Sequence, residues 1–179
     1  MSRVPLVAID SDDEVVAEVF GRFREEGREP IALYRALANS PALLRAYSGL
    51  ANALRHQASV PRSLRELVIL RIATLTGSRY ERAHHVPMAR AAGVAEAKIA
   101  GVEDWLESNA FDERERALLR CADEVHRCAL SDEAFAELER FFDADEITEL
   151  LLLLGFYEAV ARVIDGLGLE LEPQYQERP

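Results

Sequence analysis

The chain has 179 residues, 49% hydrophobic and 30% charged, with a net charge of -11; this is the balance of an ordinary globular domain with one sizeable core. The negative charge argues against nucleic acid or anionic lipid as a partner. The longest uncharged apolar run, Leu150 to Tyr157, is far shorter than the ~18 residues of a membrane span, and without a basic-then-apolar leader the expectation is a single cytoplasmic domain over residues 1–179.

Val4 to Ile9 is a short apolar lead, read as extended. Ser11 followed by Glu14 matches the Ser-x-x-Glu capping box, in which hydroxyl and carboxylate satisfy the free backbone donors of a helix start, and predicts a helix over 12–26. Pro30 opens a short helix to Asn39. Ser40-Pro41 pairs an N-cap residue with a proline at the first helical position, predicting a helix to about His56 with Leu44, Tyr47, Leu50 and Leu54 on its apolar face. His56, alone near that helix's end, is read as a partner of the helix dipole and not as a catalytic group.

Residues 62–93 carry the densest pattern. Ser63 with Glu66 and Ser78 with Glu81 repeat the capping box, so helices begin near 64 and 79. Leu67, Leu70, Ile72, Ala73 and Leu75 make the first strongly apolar, and Thr76-Gly77 breaks it. The pair predicts an antiparallel helical hairpin. On its second helix Ser78, Glu81 and His85 are spaced i, i+3, i+7, which aligns a hydroxyl, a carboxylate and an imidazole on one face. His84 lies about a quarter turn away, with Tyr80 and Met88. Capping alone also accounts for Ser78, Glu66 and Glu81, burial with a satisfied ring for His85, and packing or interface contacts for Tyr80 and His84. Glu66, Glu81 and His85 are ligand types that suit iron, manganese or zinc, but no second histidine motif accompanies them, and neither metal nor cofactor is expected.

Gly93 ends the hairpin, and 94–108 reads as short helices carrying Val94, Ile99, Val102, Trp105 and Leu106. Asp112 caps a helix through Ala129, Ser131 the next through Phe142, and Asp143 or Ala144 begins a last one through about Asp165. The fold class is therefore all-α, with about eight helices. Cys121 and Cys128, seven apart on one predicted helix, are separated by about 10 Å along its axis and cannot bridge; neither a C-x-x-C nor a zinc spacing is present. The last helix faintly echoes the hairpin, with Glu149, an apolar run and Tyr157-Glu158 standing where the hairpin has Glu66, its apolar run and Tyr80-Glu81. Of the 21 Lys and Arg residues only Lys98 is a lysine.

The segment RELVILRIATLTGSRYERAHHVPMARAAGV resembles the carboxymuconolactone decarboxylase family, which also contains the alkylhydroperoxidase D (AhpD) proteins. The likeness is strongest over about 61–99. Through DERERALLRCADEVH and FYEAVARVIDGLG it extends to most of the chain after position 40, where it is similar to cysteine-lacking members. In the peroxidase branch a Glu on the first hairpin helix is followed by C-x-x-C at the start of the second and a His one turn on. Glu66 matches that Glu, Ser78 and Glu81 stand at the two cysteine positions, and His85 matches the His. A Ser hydroxyl cannot cycle through a sulfenic acid or disulfide, so this departure removes the peroxidatic chemistry. The decarboxylase branch likewise lacks the dithiol and carries Glu-x-x-x-His, as Glu81 and His85 do here.

The resemblance implies an AhpD-like helical bundle around the central hairpin, assembled as a homotrimer or as a hexamer built from trimers. It implies a cofactor-independent enzyme acting on a small carboxylate or lactone, in which His85 shuttles a proton and Glu81 or Glu66 orients it; Ser78, Tyr80 and His84 complete the candidate site. Arg62, Arg65 and Arg71 are candidates to hold a substrate carboxylate. The alternatives are a peroxidase-like antioxidant protein, which needs a reactive thiol, and a non-catalytic oligomer that binds a small ligand.

Overall fold

The computed structural model describes residues 2–176. Among them ten helices carry the regular structure, with no strand: α1 (Glu14–Glu25), α2 (Ala32–Leu37), α3 (Pro41–His56), α4 (Arg62–Leu75), α5 (Arg79–Ala91), α6 (Glu96–Gly101), α7 (Glu113–His126), α8 (Asp132–Glu139), α9 (Ala144–Leu167) and α10 (Pro173–Gln176). The all-α expectation holds. The count exceeds about eight because single-turn pieces such as α6 and α10 stand as separate elements.

Several helix ends differ from the sequence pattern, each for a local reason. The cap of α1 is Asp13, whose carboxylate accepts from Val15 N and Val16 N at 2.9 and 3.0 Å, so Glu14 opens the helix and does not close a box with Ser11. Helix α4 starts two residues early. Pro61 is its N-cap, and Ser63, already inside the first turn, cannot cap it. Helix α7 does carry a complete capping box, Asp112 with Glu115, but stops at His126. Cys128 takes a left-handed φ of 53°, and the N–H groups of Cys128 and Ala129 turn back to the carbonyls of Val125 and Glu124, a closure that ends helices. Cys121 and Cys128 are thus not on one helix.

The chain divides into two compact units. In the first, residues 1–57 with 164–179, α1 and α3 pack together around Val16, Val19, Phe20, Phe23, Tyr34 and Leu44. Tyr34 stands edge-on to both Phe23 and Tyr47, at centroid distances of 4.7 and 5.5 Å, a favoured geometry for aromatic pairs. The N-terminal lead is irregular and not a strand. It is tied down by Arg3, which donates to the carbonyls of Leu167 and Gly166, and by the reciprocal bonds between Val7 and Arg35.

In the second unit, residues 58–163, α4 is the central element. Every residue from Leu64 to Ala73 is buried, as expected of a helix enclosed on all sides, and α5 and α7 pack on it. Leu67, Leu70, Val94, Ile99, Val102, Trp105, Phe111 and Leu119 form one cluster there, each large side chain contributing about 1.5–3 kcal/mol on burial. Leu106, by contrast, is 65% exposed and stays outside the core.

The turn between α4 and α5 is closed by Gly77 at φ +67°, with Ser78 N donating to Ala73 O at 2.8 Å and Gly77 N to Thr74 O at 3.1 Å. This closure fixes the direction in which α5 sets out, and so the placing of its first two turns against α4.

Candidate active site

Glu66 and His85 meet across the hairpin. His85 Nδ1–H donates to Glu66 Oε2 at 2.8 Å, and both side chains are buried. The early start of α4 makes this possible, because Glu66, not engaged in a capping box, is free to turn to α5. Its other oxygen lies 3.5 Å from Nε of Arg62, whose side chain is half exposed. With the hydrogen on Nδ1 committed to the carboxylate, Nε2 is left as the nitrogen available for proton exchange.

Glu81 stands one helical turn before His85, and only half of its predicted capping box forms. Its backbone N–H donates to Ser78 Oγ at 3.4 Å, while Ser78 N is already bonded to Ala73 O and leaves the carboxylate nothing to cap. Both carboxyl oxygens are buried, with no hydrogen-bond partner among the described residues. Burying a charge in this way is expensive. Burial accordingly pushes the carboxyl up to about 8; the neighbouring Glu158 adds to the rise, and the nearby Ser78 hydroxyl opposes it without the geometry of a bond to either oxygen. At neutral pH Glu81 is therefore chiefly a neutral carboxylic acid, able to donate a proton.

The remaining candidates separate. Tyr80 and His84 are buried and stack on each other at 4.6 Å with 30° between the rings, on a different side of α5 from the Glu66 contact. Arg65 Nε donates to Val60 O. Arg71 is bound on all sides: two bonds to Asp123, at 2.6 and 3.0 Å, and two to the carbonyls of Val102 and Glu103. Arg62 Nε lies 3.5 Å from Glu66, and the charge of Glu66 is also felt at Arg65.

Tyr157 and Glu158 of α9, with the partners of Glu158, His126 and Arg162, were not among the site residues that the sequence put forward. Tyr157 of α9 stands edge-on to the His85 ring at 5.1 Å. Glu158 beside it is buried, accepts from His126 Nδ1 at 2.5 Å and pairs with Arg162 at 3.2 Å. The faint echo in the last helix was their one trace in the sequence.

Neither cysteine takes part in these contacts. Cys121 is buried on α7, and burial pushes its thiol up to about 12, with Glu124 adding to the rise; Cys128 is exposed beyond the helix end. Among the described residues no group of three or more His, Cys, Asp or Glu side chains is arranged to hold a metal ion, and no helix is long and apolar enough to cross a membrane.

An all-α bundle built around a capped hairpin, with a carboxylate and an imidazole turned inward from its two arms, has the architecture of the AhpD-like proteins. Residues 41–124, just under half of the chain, match the model of the carboxymuconolactone decarboxylase family, and over that stretch the chain is similar to it. It is similar to a protein of unknown function from Agrobacterium tumefaciens, provisionally named antioxidant defence protein AhpD. The two are 27% identical, over 76% of this chain and 94% of that one, with a TM-score of 0.72. A peroxidase-related protein from Silicibacter sp. TM1040 shares the fold at 17% identity, over 99% and 95% of the two chains, with a TM-score of 0.84. So does the debrominase Bmp8, solved with 2,3,4-tribromopyrrole as a Cys-to-Ala variant, at 22% identity, 98% and 96% coverage and a TM-score of 0.82.

Proposed function

We propose that the chain is a cofactor-independent acid–base enzyme of the decarboxylase type, acting on a small carboxylate, lactone or related ring compound. The observation that carries this reading is the buried Glu66–His85 pair at 2.8 Å with the unpartnered acid Glu81 one turn away. In a decarboxylation the carbon–carboxylate bond breaks with its electron pair left on carbon, carbon dioxide departs, and a proton must reach that carbon. His85, oriented by Glu66, exchanges a proton through Nε2, and neutral Glu81 is a second donor on the same face. Arg62 is the cation best situated to meet a substrate carboxylate. That Bmp8 holds a small halogenated ring supports ring compounds as the ligand class.

A thiol peroxidase draws no support from this chain, because Ser78 and Glu81 stand where that chemistry needs its dithiol, and Cys121 is deeply buried. The reading includes a cytoplasmic homotrimer or hexamer; light scattering that returns a 20.0 kDa particle would count heavily against the assembly. The test of function is a thermal-shift screen of small ring acids and lactones, followed by turnover of the hits. His85→Gln keeps one hydrogen bond but cannot exchange a proton near neutral pH, and should lower the rate by about 10² to 10⁴ with little change in melting temperature. A normal rate with a large melting shift would make His85 structural and overturn the assignment.

A further inference from the structure

Tyr34 and Ser48, both in the first unit, are buried hydroxyls whose hydrogens the fold does not use. Tyr34 is 4% exposed and Ser48 7%. Arg55 Nη2 donates to the Tyr34 hydroxyl at 3.1 Å, which engages the oxygen as an acceptor and leaves its O–H unspent. The Ser48 side chain, in the middle of α3, makes no hydrogen bond among the described residues. A buried donor left idle is costly, and both hydroxyl residues line one cavity of about 50 Å³, walled by α1, α2 and α3.

The rest of the lining is basic. Arg22 of α1, Arg28 beyond the turn at Gly27, and Arg55 and His56 of the last turn of α3 surround the cavity, with Glu26 as the acid among them. Arg28 is bonded to Glu26 and lies 5.5 Å from the centroid of Phe23, itself part of the wall, so its guanidinium is held in place. Glu18, the partner of Arg22 at 2.8 Å, is shared with Arg45 at 2.9 Å. Three lining arginines against Glu26 leave a local excess of positive charge in a chain of net charge -11. Basic residues near the end of a helix ordinarily offset its dipole, which suffices for Arg24, a residue of the last turn of α1 that does not line the cavity. It does not explain a cavity that also holds two idle hydroxyls.

We propose that this cavity binds a phosphate group, either free phosphate or the end of a small phosphomonoester. An arginine fork offers parallel N–H donors that match phosphate oxygens, and the hydroxyls of Tyr34 and Ser48 donate to the oxygens that enter deepest. A water needs about 10–15 Å³ of such space, so the cavity accommodates about four oxygen-sized atoms, as many as phosphate carries. The site uses none of the residues of the Glu66–His85 pair and stands or falls separately from the chemistry proposed there.

The full-length protein is titrated with inorganic phosphate and, separately, with glycerol phosphate, binding being followed by calorimetry, with acetate as the control for negative charge alone. Saturable binding of either phosphate supports the site, and the tighter of the two identifies the source it serves. Ser48→Ala should weaken binding by about tenfold, the scale of one hydrogen bond to a charged group. It should not lower the urea midpoint, because alanine favours the helix and no bond is lost; a merely structural Ser48 would do the reverse. Arg28→Gln should weaken binding by about tenfold or more, whereas the charge-matched Arg24→Gln should leave it unchanged. The site is overturned if neither phosphate saturates, if acetate binds as tightly, if Arg24→Gln weakens binding as much as Arg28→Gln, or if Ser48→Ala binds like the wild type.

Discussion

Replacing Glu81 by Gln should make the protein more stable, by an amount that depends on pH. Glutamine is neutral and close in size, so it removes the titration while leaving the volume filled. In the folded chain the Glu81 carboxyl is raised from 4.5 to about 8; in the unfolded chain it has the ordinary value. Below about 4.5 both states hold the proton and the residue imposes no penalty. As pH rises through the window to 8, the unfolded state gives up its proton while the folded state keeps it, and folding loses about 1.4 kcal/mol for each pH unit. At neutral pH the loss is on the order of 3 kcal/mol, and beyond the folded midpoint it levels off at about 5 kcal/mol.

Urea unfolding of the wild type and Glu81→Gln across this range measures the difference directly. The two should coincide at the acid end, diverge steadily with Glu81→Gln the more stable, and run parallel above pH 8. Curves that stay parallel throughout, or a variant less stable at neutral pH, would mean that Glu81 is ionised in the folded state, and its role as a proton donor would fall.

Arg71→Ala removes two bonds to Asp123 and two to backbone carbonyls, leaving a part-buried carboxylate short of its partner. It should cost about 3–5 kcal/mol, read as a lowered urea midpoint, and a midpoint within experimental error of wild type would show the network to be dispensable. Native alkylation near pH 8 should add one label, at exposed Cys128, because the Cys121 thiol is buried and held up to about 12; two labels by mass spectrometry of the folded chain would contradict this. Gly77→Ala meets open space but must adopt φ +67°; it should destabilise by about 1 kcal/mol through backbone strain alone, and an unchanged midpoint would refute that account.

The hairpin was legible in the sequence because its signals are local: the apolar run of α4, the Thr76-Gly77 stop and the Ser78 cap each act within a few residues. Its chemistry was only half legible, since capping offered Glu66 and Glu81 an innocent employment. The fold removes it in both cases, through the early start of α4 after Pro61 and through Ser78 N being taken by Ala73 O. His126 and Glu158 are 32 residues apart, a pairing set by how α7 and α9 lie together in this unit, and no spacing rule reaches that far. Helix ends misread at α1 and α7 were decided by competition between neighbouring caps and by the left-handed turn at Cys128.

The contact between Glu66 and His85 spans 19 positions, and this brevity bears on the order in which the molecule assembles. Closing so short a loop carries little entropic penalty, and helical hairpins gather within microseconds to milliseconds. The hairpin that carries Glu66, Glu81 and His85 is thus suited to nucleate folding, with α7 and α9 adding His126 and Glu158 afterwards. Mutations along the α4–α5 contact should chiefly slow folding, whereas those at the His126–Glu158 pair should chiefly hasten unfolding.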